Sequence, residues 1–68
     1  MILQIEVERE EDGRWIAEVP SLPGVLAYGA TEAEARAKAQ ALALRVLADR
    51  LEHEEVSPDL MTISFSAA

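Results

Sequence analysis

The chain of 68 residues has no cysteine and a single histidine. Without thiols it can build neither a disulfide framework nor a thiolate metal site, and His53 alone cannot assemble a zinc centre, so neither metal nor cofactor is expected. Basic residues are also scarce: six Lys and Arg stand against thirteen Asp and Glu, a formal net charge of -7. Neutralising phosphates takes Lys and Arg, so this balance argues against direct contact with nucleic acid and favours a basic protein surface as partner. The same acidity also serves simply to keep a small protein in solution. No apolar run approaches the ~20 residues that span a bilayer, and Met1–Glu6 alternate apolar with polar where a signal peptide would carry a basic leader. The expectation is a cytoplasmic protein without membrane contact.

Catalytic constellations are missing as well. Ser21, Ser57, Ser64 and Ser66 have only His53 to serve as a base, and no spacing suggests a triad. Gly13, Gly24 and Gly29 are accounted for by turns, which leaves no phosphate-cradling loop. A two-metal nuclease needs carboxylates converging from several elements. Here Glu6 and Glu8 lie on the polar side of a strand, Glu11 and Asp12 in a turn, and Glu52, Glu54 and Glu55 at a helix end. The chain is read as non-catalytic.

What is present is a well-punctuated series of elements. Leu3, Ile5 and Val7 alternate with Gln4, Glu6 and Glu8, the period of a strand buried on one face. Asp12-Gly13 is a hairpin signal, and Arg14 to Val19 returns as a second strand with Trp15, Ala17 and Val19 on one side and Trp15 as its core aromatic. Pro20-Ser21-Leu22-Pro23-Gly24 takes the chain out of the sheet, and Val25 to Tyr28 re-enters as a short third strand. Thr31 with Glu34 spells a capping box at the head of a proline-free and glycine-free run to about Glu54, a helix on the order of 33 Å long.

On that helix Glu34, Lys38, Arg45, Asp49 and Glu52 form a polar sector, and Ala35, Ala39, Leu42, Ala43 and Val46 a stripe for the sheet. Leu44, Leu47 and Leu51 sit well around from the centre of that stripe. Pro58 stops the helix, and Leu60 to Phe65 alternates as a last strand. The elements make one α+β domain over residues 1–68, β-β-β-α-β. Its first three strands form an antiparallel meander, its fourth pairs parallel with the first, and its sheet order is 3-2-1-4 with the helix on one face. A domain this small has a thin core, and self-association is the staple left to it.

The segments Asp12-Gly13-Arg14-Trp15-Ile16-Ala17-Glu18-Val19-Pro20-Ser21-Leu22-Pro23-Gly24-Val25 and Tyr28-Gly29-Ala30-Thr31-Glu32-Ala33-Glu34-Ala35, followed by an alanine-rich helix, resemble the HicB antitoxin family over nearly the whole chain. The resemblance implies a partial ribonuclease H-like fold and a partner of the HicA type, a small basic ribonuclease toxin whose surface the domain would mask. Many HicB proteins continue into a DNA-binding module, and the chain ends at Ala68 without one, so direct DNA binding is not expected. Partner contacts are expected at Glu10, Glu11, Asp12, Glu18 and Leu22, along the acidic rim of the meander and the proline-flanked loop. The alternative is a homo-oligomer without a toxin, joined through Leu44 and Leu51 or through the edge strands.

Overall fold

The structure, a computed structural model, describes residues 1–53 and 62–67. In chain order these form β1 (Ile2–Arg9), β2 (Trp15–Glu18), β3 (Leu26–Gly29), α1 (Glu32–Glu52) and β4 (Ser64–Ala67). The strands make one sheet of order β3-β2-β1-β4, in which β1 is antiparallel to β2, β2 antiparallel to β3, and β4 parallel to β1. This is the expected α+β architecture, with the single helix packed on one face of a mixed sheet.

Local chemistry sets each junction. The β1–β2 hairpin closes when the Gly13 amide donates to the Glu10 carbonyl at 3.0 Å and the Glu10 amide to the Arg14 carbonyl at 2.7 Å. Gly13 holds φ at 89°, a left-handed conformation that costs a residue with a Cβ. Thr31 caps α1 by accepting the Glu34 amide at 3.1 Å, while the Glu34 carboxylate accepts from Lys38 Nζ at 2.9 Å. At the other end of the helix the His53 amide and ring Nδ1 both reach the Asp49 carbonyl. The first residue ties in the last strand, because the Met1 amino group donates to the Thr62 carbonyl and the Ser64 amide to the Met1 carbonyl.

One face of the sheet and one ridge of the helix make the core: Leu3, Ile5, Ala17, Val19, Leu22 and Val25 against Ala35, Ala39, Ala43 and Leu47. The helix contributes mostly alanine, so it sits close. A Cβ added at Gly29 would lie 2.5 Å from the Ala35 backbone nitrogen, which leaves no room for any side chain where β3 passes under the first turn of α1. Gly29 is therefore required by close packing, beyond the turn the sequence suggested.

Two side chains lie elsewhere than expected. Leu47 belongs to the core at 2% exposure, because the buried ridge advances in steps of four and drifts around the helix as it crosses the sheet. Leu22 is 4% exposed and is not available as a partner contact. Its amide donates to the Val19 carbonyl and its carbonyl accepts from the Val25 amide, two successive turns that fold the loop inward and leave Pro20, Ser21 and Pro23 outside. Trp15 packs against the rim of the core, half-buried. The strand expected from Leu60 starts at Ser64, with Phe65 half-buried towards the helix and Ile63 exposed ahead of it. Leu60 and Met61, like Glu54 and Glu55, lie outside the described residues.

Two substitutions test this packing. Gly29→Ala should destabilise the fold by about 1–3 kcal/mol through overpacking against a backbone that cannot yield. Leu22→Ala should cost about 2–5 kcal/mol as a buried truncation. Chemical denaturation checks both, and a neutral Leu22→Ala would return that side chain to the surface.

Candidate functional site

The helix covers only one face of the sheet, and the pairing register assigns the residues of the other. Strand β1 contributes Ile2, Gln4, Glu6 and Glu8, β2 contributes Ile16 and Glu18, β3 contributes Leu26 and Tyr28, and β4 contributes Ser64 and Ser66. Across the sheet, Glu6 stands opposite Glu18, which stands opposite Leu26, and Glu8 stands opposite Ile16, which stands opposite Tyr28. Among the described residues no element packs over this face, where Ile2 is 72% exposed and Leu26 and Tyr28 about two-fifths exposed.

The face is a trough running along β1. At one end Ile2, Gln4 and Glu6 border a hollow with Pro20 and Ser21. In the middle Glu6, Glu8, Glu10, Ile16 and Glu18 border the next, and at the hairpin end Glu8 and Glu10 share a third with Arg9, Glu11, Asp12 and Arg14. Side chains two residues apart on a strand are separated by about 6.8 Å, which is the spacing of the Glu6 and Glu8 carboxylates on β1, and Glu10 joins them in the same hollow just past the strand's end. Glu6 directly opposite Glu18 is a like-charge cross-strand pair, an arrangement that weakens a sheet. Neither residue is among the described ion pairs.

Of the two arginines at the hairpin end, Arg14 is engaged and Arg9 is in none of the described ion pairs. Arg14 Nε donates to Asp12 Oδ2 at 2.7 Å, and the guanidinium lies 4.5 Å from the centre of the Tyr28 ring. Arg36 pairs with Glu32 at 2.7 Å and Lys38 with Glu34 at 2.9 Å, both on the helix and away from the trough. The Asp12 carboxyl is held below the usual carboxylate value, chiefly by the hydrogen bond from the Arg14 amide; desolvation, next in size, opposes this, and the Arg14 side chain lowers the carboxyl further. Lys38 lowers Glu34 in the same way, through its hydrogen bond and then its charge.

Of the contacts expected from the sequence, Glu10 and Glu18 line the middle of the trough, and Glu11 and Asp12 sit at its hairpin end. Leu22 does not take part, being turned into the core. Glu6 and Glu8 are not among the contacts expected from the sequence, although their alternation with Leu3, Ile5 and Val7 puts them on this side. What brings Glu6 against Glu18 and Glu8 against Ile16 is the β1–β2 register, which becomes readable only once the hairpin turn is known to span Glu10–Gly13. Leu44 and Leu51, the expected oligomer contacts, are 46% and 38% exposed on the far side of the molecule. Among the described residues no three His, Cys, Asp or Glu side chains converge as a metal ion would require, and no helix is long and apolar enough to cross a membrane. Comparison with protein families, curated proteins and solved structures finds no significant match for this chain.

The geometry generates two expectations. Glu18→Gln should raise stability by about 0.2–1 kcal/mol, the range for cross-strand pairs, and the gain should shrink as added salt screens the repulsion. A loss of stability instead would mean that Glu18 has an attractive partner on the sheet. Because the Asp12 carboxyl is lowered in the folded chain, its contribution is present above the unfolded value and fades as pH falls through the folded one. Asp12→Ala should therefore lower stability at pH 7, and the gap from the parent should close below about pH 4. Urea melts at the two pH values provide the check.

Proposed function

We propose that this chain is a HicB-type antitoxin module, a non-catalytic protein that docks a small basic partner of the HicA ribonuclease class on the uncovered face of its sheet and masks the partner's RNA-binding surface. One observation carries the reading. Glu6 faces Glu18 within a row of acids interleaved with exposed Ile2, Leu26 and Tyr28 and half-buried Ile16, on a face that no described element covers. A like-charge pair weakens an isolated sheet, and a Lys or Arg placed between the two carboxylates turns that weakness into binding energy. The surrounding aliphatic and aromatic groups supply the desolvated contact area that charge alone lacks.

The resemblance of the Asp12–Val25 and Tyr28–Ala35 segments to HicB antitoxins supports the same reading. It adds the nature of the partner, the cytoplasm as the setting and the kinship to a partial ribonuclease H-like fold. Each of those segments also has a physical role in the fold, as hairpin, inward-folded loop, close-packed glycine or capped helix. A net charge of -7 suits a basic partner that itself binds RNA, since the module then competes with the nucleic acid for the same cationic surface.

The test is binding to a HicA-type protein. Glu6→Lys with Glu18→Lys should weaken the complex at least tenfold, about 1.4 kcal/mol, and flatten its dependence on salt. Reversal of Glu11 at the hairpin tip should have a smaller effect. Undiminished binding by the folded double variant would overturn the assignment of this face.

A further inference from the structure

The outward side of α1 carries a second apolar seam that the core does not use. Ala37, Ala41, Leu44, Ala48 and Leu51 recur at alternating intervals of four and three, the spacing of a coiled-coil seam, and all five are exposed. They lie roughly opposite the buried ridge of Ala35, Ala39, Ala43 and Leu47, on the side of the helix turned away from the sheet. Leu44 and Leu51 are two of the large exposed apolar side chains of the molecule.

We infer that this seam pairs with the same seam of a second copy in antiparallel register, giving a two-fold dimer with layers β-α-α-β. Size and charge complementarity together select this occupant and this register. When Leu44 is set against Ala48 of the second copy, Leu51 falls against Ala41 of the second copy. Two-fold symmetry repeats both contacts, so each of the four layers from Ala41 to Leu51 packs a leucine onto an alanine, and Ala37 lies beyond the paired stretch. The same register brings Lys38 alongside Glu52 of the second copy at each end, opposite charges on the seam's flank. Lys38 is exposed and is held only by its i,i+4 neighbour Glu34, so it is free to exchange partners.

The register has one unfavourable feature: the two copies of Arg45 face each other across the two-fold axis, like charges at the centre of the contact. The paired stretch from Ala41 to Leu51 covers about 15 Å of helix, and it supplies fewer contacts than the ~20–30 residues a side of a standard stable interface. The dimer is accordingly weak and concentration-dependent. Its helices are inside and its uncovered sheet faces point outward in opposite directions, so it presents two acidic troughs at once and binds basic partners two to two. The pairing itself stands without the proposed partner.

Sedimentation equilibrium up to about 1 mM, the range that reports weak association, should show a monomer–dimer equilibrium. Leu44→Glu, at an exposed site that leaves the fold intact by circular dichroism, should abolish it. Arg45→Gln should tighten it several-fold by removing the repulsion at the axis. Register is read by oxidative cross-linking, which is clean in a chain without native cysteine. Leu44→Cys and Ala48→Cys should each stay monomeric under non-reducing electrophoresis, and their equimolar mixture should yield a linked dimer. Residues 44 of the two copies are offset by about 6 Å along the axis on top of the separation between helices, beyond the reach of a disulfide. A strict monomer at the highest concentration, efficient linking of Leu44→Cys alone, or weakening by Arg45→Gln would overturn the inference.

Discussion

The approach of α1 to β3 governs this molecule. The Ala35 amide lies so near Gly29 that a single methyl group could not stand between them. The helix can settle that low only because its buried ridge is alanine until it reaches Leu47. Close contact replaces bulk here, because dispersion between tightly packed small groups makes up part of what a larger aliphatic core would supply. The larger side chains of the core come from the sheet and the loop, where Val19, Leu22 and Val25 fill the end that the alanines leave open.

A single helix can serve only one side of a sheet, and the division of labour follows. The apolar residues that alternate inward on β1 and β2 face α1, whereas no described element packs over the residues that alternate outward. On that outward side the chain places carboxylates on neighbouring strands with aliphatic and aromatic groups between them. Of the two guanidiniums at its hairpin end, that of Arg14 is committed to Asp12 and Tyr28, and that of Arg9 is in none of the described ion pairs. Such a surface is poorly suited to being the outside of a monomer and well suited to receiving cations. The helix's outward seam, in contrast, joins leucine to alanine with mixed charges on its flank, a pattern that complements itself. The two surfaces lie on opposite sides of the molecule and can be occupied together.

Much of this was legible in the residues. Asp12-Gly13, the proline-bounded loop and the Thr31–Glu34 cap are local signals with local causes, and once they delimit the elements, the rules of connection lead to the order 3-2-1-4. The departures come where non-local geometry decides. Leu22, between two prolines, reads as a surface residue until successive turns from Val19 to Val25 swing it inward. Leu47 falls outside a stripe drawn for a helix lying straight along its sheet, and inside one that drifts as the helix crosses at an angle. Glu6 and Glu8 read as ordinary solvated positions until the strand register sets Glu6 against Glu18. Charge and composition pointed to a basic partner, yet they could not say which acids share a surface, since that depends on pairings formed across the chain.

The central claim is that the uncovered sheet face, and no other surface, receives the partner. It is tested most directly by following the backbone amide resonances of the labelled chain while an inactive HicA-type protein is titrated in. The account predicts that the perturbed amides gather at Glu6, Glu8, Glu10, Ile16, Glu18 and Tyr28, with those of Ala37 to Leu51 unmoved. Perturbations concentrated along the helix, with the β1 and β2 amides left in place, would contradict it.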